Sequence, residues 1–365
     1  MPVPQGNENN HSAHTPSVLI PAHLASSNAL PGHDTNADHF FPTIPYNGLT
    51  VPNPRAPPPP YSTLKVQGYD PLADAEMIMK ACKGFGTDEA TLIKTLTKIP
   101  PLKMDALAEF YVAKYGQRLV DHLDKETRSW LNKGLHGLVM GPLAWDVELL
   151  HEAVDGVGDD LYRLSVEYKY KYGTDLSVKI RDDLSGQTEK LYLIALNACR
   201  PAESASIDYT LVDKDILDLF NAGQGQKGTN EDTFSQNINH SSVFASVGGY
   251  GAHYRSLTKV IKSKFSGHMR TSLLFAIEGV KPKRDTKGIW RDAKMIDKAM
   301  VGFGTRDKQL VYRTILHRII RAHWDRERFS AIQEAYLRRT GKTLESRVKS
   351  ETSGNYQKLM LAIIK

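Results

Sequence analysis

Cysteine is nearly absent: Cys82 and Cys199 are the only two in 365 residues. Two thiols make no disulfide framework and no metal-ligand spacing, which fits a reducing cytoplasm. No apolar run has the length of a membrane span. The opening MPVPQGNENN has neither the basic nor the apolar region of a secretory leader. Catalytic signatures are missing too. KGFGTDEAT at Lys83 lacks the lysine and the preceding strand of a phosphate-binding loop, no H-E-x-x-H occurs, and serines and histidines are scattered without a nucleophile context. No enzyme activity is expected. Strand-like alternation is scarce, so the chain is expected to be all-α.

Proline is scarce after residue 66, because 13 of the 19 prolines precede it. Residues 1–66, with NPRAPPPPYSTL near their end, have few periodic apolar positions to offset the entropy lost on folding. They are expected to be a disordered tail, its proline run in the polyproline II form and able to dock on a protein partner. Its five histidines, at 11, 14, 23, 33 and 39, lack metal-site spacing. The net charge of +6 and a pI near 9.0 suit an anionic partner, nucleic acid or membrane.

What is present is repetition. SGQTEKLYLIALNACR at Ser185, SGHMRTSLLFAIEGVK at Ser266 and SGNYQKLMLAIIK at Ser353 are versions of one amphipathic helix, and ETRSWLNKGLHGLVM at Glu126 is a weaker copy without Ser-Gly. A glycine turn precedes each copy: KGFGT at 83, DGVGD at 155, GQKGT at 225 and VGFGT at 301. Four units result, at 67–140, 141–203, 204–285 and 286–365. One unit alone could not bury its apolar face.

A lone G-x-G-T turn between helices needs no function. Glycine ends one helix, and Thr87 is a plain N-cap for the next. The distant acid adds to this, since Glu126 follows Thr87 after 38 intervening residues and an antiparallel unit can return it to the same end. Calcium takes six to eight hard oxygens, which a bent glycine turn and one carboxylate can begin to supply.

The G-x-G-T turn, the acid at that spacing and the fourfold helical repeat together resemble the annexin family over residues 67–365. The resemblance implies four repeats of about five helices forming a slightly curved disc. It implies calcium-dependent binding to anionic, phosphatidylserine-type membranes, peripheral and from the cytoplasm, with no nucleic acid involved. In the first unit it implies Ca2+ ligation by the carbonyls of Cys82, Gly84 and Gly86, capped by Glu126. In the fourth it implies the carbonyls of Met300, Gly302 and Gly304, capped by Glu351, which follows Thr305 after 45 residues. Phe85 and Phe303, raised between the glycines, would enter the lipid headgroup region, where full burial of such a ring is worth roughly 1.5–3 kcal/mol. A site with one carboxylate should bind calcium weakly in water, on the order of 10⁻⁴ M or poorer.

The middle units depart from the pattern. In the third, Gly228 and Thr229 remain but the cap position holds Lys264, which has no lone pair to give, so no such calcium site is expected. In the second, Asp159 replaces the threonine and only residues 160–182 separate it from Asp183, a deficit of about one helix, the second of that unit. A calcium-independent helical-repeat adaptor or nucleic-acid-binding protein is the alternative reading.

Overall fold

Apolar residues recurring at helical spacing become sixteen helices among the described residues of the computed structural model. It describes residues 42–46, 49–54, 56, 68–84, 86–148, 158–197, 208–238, 256–279, 288–300, 319–320 and 322–365. The series begins with α1 (Leu72–Cys82), α2 (Glu89–Leu96), α3 (Pro101–Tyr115), α4 (Leu119–Glu126) and α5 (Ser129–Glu148), the last broken at Gly141–Pro142. Next come α6 (Gly158–Tyr172), α7 (Leu176–Asp183) and α8 (Gly186–Asn197). Then follow α9 (Tyr209–Ala222), α10 (Glu231–Ile238), α11 (Leu257–Lys264) and α12 (Gly267–Gly279). The chain closes with α13 (Ile289–Met300), α14 (Arg326–Thr340), α15 (Leu344–Glu351) and α16 (Gly354–Ile364).

The repetition reaches the lengths of the helices. α3, α6 and α14 each have 15 residues, and α4, α7, α11 and α15 each have 8. It also reaches the backbone angles. The glycine of each Ser-Gly pair takes a left-handed φ: Gly186 61°, Gly267 55° and Gly354 64°. The first unit has Ser129 at the same place, and it adopts φ 59° all the same. A side chain there costs roughly 1–2 kcal/mol, which explains the glycine in the other three.

Among the described residues three cores hold the helices together. The largest draws on α1–α5 and α13–α16, so the first and last units share one interior around Leu92, Tyr111, Phe329, Tyr336 and Leu359. An Asn355 amide bonded to the Glu89 carboxylate ties α16 to α2. The second core joins α9–α12 to Leu191 of α8.

The third core corrects the expectation of a disordered tail for the hairpin residues of 1–66 alone. Within that segment, β1 (Thr43–Tyr46) and β2 (Leu49–Pro52) form an antiparallel hairpin with Ile44 opposite Val51. Ile44, Tyr46 and Val51 are buried against Leu143 and Val147 of α5, Leu164 and Tyr168 of α6 and Leu176 of α7. The Tyr46 hydroxyl donates to Asp146 Oδ2 at 2.8 Å inside this cluster. Among the described residues the second unit has no counterpart of α2, and the hairpin supplies apolar side chains to its core instead. The proline run at 57–60 lies outside the described residues.

Candidate functional site

Helix α1 ends at Cys82, whose side chain is buried with the α1 core face. The chain then turns through Gly84 at φ 127° and Gly86 at φ 89°, and the Asp88 N–H closes the loop on the Ala81 carbonyl at 2.8 Å. A side chain on either glycine would meet no neighbour, so the loop stands open to solvent. Only glycine makes both turns without strain.

The N-cap of α2 is Asp88, not Thr87. Its Oδ1 accepts from the Thr91 N–H at 3.0 Å, and hydrogen bonds from Thr91 hold its carboxyl below the usual range. Thr87 is thereby free for another role. Its hydroxyl lies 2.8 Å from Glu126 Oε2 and 3.0 Å from the Glu126 carbonyl, shared between the two acceptors. Glu126 is the last residue of α4, so the hydroxyl pins the distant carboxylate beside the glycine loop. The Cys82 thiol registers both features: burial, then the Glu126 charge, push it up to about 11. One turn before Glu126, His122 is buried and bonded through Nδ1 to the Tyr111 hydroxyl at 2.7 Å. Burial holds its pKa below the ordinary value. Among the described residues no lysine or arginine forms an ion pair with Glu126. Peptide carbonyls and one oriented carboxylate are hard oxygen donors that suit calcium better than a soft or imidazole-seeking metal. Among the described residues no group of three or more His, Cys, Asp or Glu side chains stands together as a metal cluster. Phe85 lies outside the described residues.

The fourth unit is arranged differently. Gly302, Phe303 and Gly304 lie outside the described residues. The two candidates that are described, Met300 and Glu351, do come together, but Arg347 stands between them. Its Nη2 donates to the Met300 carbonyl at 2.8 Å and lies 3.2 Å from Glu351 Oε1. The i,i+4 spacing of Arg347 and Glu351 on α15 was the available sequence signal for this pair.

The third unit keeps the loop and replaces the acid. The Asn230 N–H closes the turn on the Ala222 carbonyl at 2.8 Å, and Asn230 Oδ1 caps α10 through the Thr233 N–H. Gly228 has φ 112°. Lys264 ends α11 as Glu126 ends α4. Its Nζ donates to the Gly228 carbonyl at 2.8 Å and the Gln226 carbonyl at 3.3 Å. In the second unit Gly156 lies outside the described residues, Gly158 begins α6, and Asp183 pairs with Lys179 at 2.7 Å.

Comparison with known proteins places these loops in a family setting. A family model described as Annexin matches residues 73–138 and 291–363, the two stretches that hold the G-x-G-T turns. The chain is similar to Annexin C1 of Cryptococcus neoformans var. grubii, 37% identical over 340 residues that make up 87% of this chain and 70% of that protein. Annexin A11 of Mus musculus is 29% identical over 341 residues, 65% of its own length. The solved structure of annexin III superposes with a TM-score of 0.72 at 26% identity, over 82% of this chain and 95% of that one.

Proposed function

The chain belongs to the annexin family, and from that premise we propose that it is a non-enzymatic protein that binds anionic phospholipid membranes when calcium is present. The observation that carries the reading is the pinning of the Glu126 carboxylate by Thr87 beside the Gly84–Gly86 loop. The carbonyls of Cys82, Gly84 and Gly86 and the Glu126 carboxylate hold Ca2+ in the first loop. The bound ion supplies positive charge and open coordination positions for lipid phosphate oxygens. Phe85, at the tip of the same loop, enters the headgroup layer beside it. In the fourth loop the carbonyls of Met300, Gly302 and Gly304 and the Glu351 carboxylate form a weaker second site, reached by Phe303.

Three features of the chain fit this reading. The net charge of +6 favours an anionic surface. Among the described residues no helix is long and apolar enough to cross a membrane, so contact is peripheral. The solvent-open first loop leaves room for a phosphate group at the ion. Calcium and membrane then each tighten the binding of the other. The units run over 67–140, 141–203, 204–285 and 286–365, and the proline-rich segment before them carries a protein partner of its own in the cytoplasm.

Sedimentation with phosphatidylserine-rich vesicles tests the proposal. The protein pellets in calcium and stays in solution in chelator. Equal pelleting in both would remove the calcium site from the explanation and favour a calcium-independent adaptor.

A further inference from the structure

The three residues Glu126, Lys264 and Glu351 hold the same place, the last position of an eight-residue helix that returns to a glycine loop. The loops differ in which cation the chain itself brings there. In the first, no lysine or arginine among the described residues pairs with the carboxylate. In the third, the Lys264 ammonium bonds two loop carbonyls. In the fourth, the Arg347 guanidinium bridges the carbonyl and the carboxylate. We propose that Lys264 and Arg347 are tethered cations that take the place of calcium, Lys264 holding the third loop's carbonyls permanently and Arg347 holding the Met300 carbonyl and the Glu351 carboxylate competitively.

The chemistry is that of one acceptor set with two kinds of occupant. The Gln226 and Gly228 carbonyls turned toward a common point carry partial negative charge, and a cation between them offsets their mutual repulsion. A calcium ion satisfies them from solution. An ammonium at the end of a four-carbon stem satisfies them from within, through two of its three N–H donors. The tether presents that ammonium at an effective concentration on the order of mM, so it needs no threshold of a dissolved ion. Lys264 also removes the carboxylate that would hold a divalent ion, so calcium gains nothing by displacing it. The third loop therefore keeps one conformation with or without calcium.

Arg347 is a weaker seal because the carboxylate is still present. It pairs with Glu351 through an exposed edge, the two side chains retaining 21% and 30% of their accessible surface. Calcium can displace it, but must break the guanidinium bond to the Met300 carbonyl and its pairing with Glu351. The consequence is a graded response in which the first loop fills first, the fourth later and the third never. The Arg347 half of the inference rests on the reading of Met300 and Glu351 as calcium ligands; the Lys264 half rests on the observed bonds.

Hydrogen exchange and calcium titration on the full chain without lipid test both halves. Lys264→Met keeps the stem and removes the donors. Amides of 225–229 should exchange at least tenfold faster in chelator than in the wild type, and wild-type exchange there should not change on adding calcium. Lys264→Glu should add one calcium equivalent to the titration. Arg347→Met should tighten the weaker calcium equivalent about tenfold. Calcium protection of 225–229 in the wild type, unchanged exchange in Lys264→Met, or no added equivalent in Lys264→Glu would overturn the Lys264 assignment. An unchanged titration in Arg347→Met would overturn that of Arg347. Glu126→Gln separates the inference from the calcium reading of the first loop. If it leaves the stronger equivalent intact, that reading fails, while the exchange of 225–229 in chelator still decides whether Lys264 holds its loop.

Discussion

Ile44→Ala with Val51→Ala asks whether the β1–β2 hairpin is part of the second unit or an ornament on it. Ile44 and Val51 are 3% and 1% exposed and face each other across the hairpin. Truncating a buried isoleucine to alanine costs about 2–5 kcal/mol through lost transfer energy and the cavity left behind. The two methyl groups lost at Val51 add about 1.5 kcal/mol. The pair are neighbours, so the terms overlap, and the double variant should cost about 3–5 kcal/mol. That loss falls on the small cluster of Leu143, Val147, Leu164, Tyr168 and Leu176 and leaves the shared core of the first and last units untouched. Hydrogen exchange by mass spectrometry reads the difference. A loss of about 3 kcal/mol corresponds to roughly a hundredfold faster exchange, expected in α6 and α7 and absent from α1, α2 and α16. Tyr46→Phe isolates the polar contact with Asp146, and a hydrogen bond of this kind is worth about 0.5–1.5 kcal/mol net. Exchange in α6 and α7 within a fewfold of wild type in the double variant would refute the reasoning. The second unit would then hold its core without the hairpin.

Glu126→Gln removes one charge and one strong oxygen donor and should raise the calcium needed for half-maximal vesicle binding about tenfold, with the melting temperature unchanged because the side chain is only half-buried. An unchanged calcium midpoint in sedimentation would remove Glu126 from the site. Ser129→Gly relieves a left-handed residue and should stabilise the chain by about 0.5–1 kcal/mol after the entropy of glycine is subtracted, read as a higher urea midpoint. His323, held down to about 4 by burial and then by Arg326, is neutral in the folded chain and takes up a proton first when unfolded. Its stabilising contribution is therefore complete above about pH 6.5 and is lost on the way down to about pH 4, a change of ~3 kcal/mol. The stability difference between wild type and His323→Leu should shrink by that amount over this window in urea unfolding. Taking the difference cancels Glu109, whose acid burial and then the Asp105 charge raise to about 7, and which titrates with the opposite sign.

The helices were legible because their apolar residues repeat every three or four positions, and burial follows that period in Ala75, Ile78 and Cys82 of α1 and in Leu92, Ile93 and Leu96 of α2. The hairpin was not, for an identifiable reason. Pro45 and Pro52 punctuate TIPYNGLTVP and Pro42 and Pro54 flank it, and the proline count of the whole segment outweighed its own alternation of Ile44 with Tyr46 and Leu49 with Val51. The Asn-Gly between those runs is the strongest short hairpin signal a sequence offers. In the site, Glu126 could be found by spacing, since the three helices α2–α4, of fixed length, return the chain to the same loop. The role of Thr87 could not. As a helix cap or as a carboxylate partner it looks the same in sequence, and only Asp88 taking the cap decides between them.

Lys264 shows a deeper limit of reading by motif. A lysine at the acid position registers only as a missing ligand, yet in the structure it bonds the loop carbonyls that a cation would seek. The four returning helices then form a series at one position. Glu126 stands beside a His122 that burial keeps from charging easily, Asp183 is paired with Lys179, Lys264 is itself a cation, and Glu351 is paired with Arg347. The scaffold is common to all four, since each of these helices has eight residues and precedes a left-handed residue three positions on. What varies is the side chain at the helix end and the one a turn before it. On the proposal made above, those two positions set how strongly a loop depends on a dissolved ion, since a tethered charge and a divalent ion would compete for the same oxygens. If Lys264 and Arg347 act as proposed, calcium sensitivity is a property of two residues per unit rather than of the glycine turn alone.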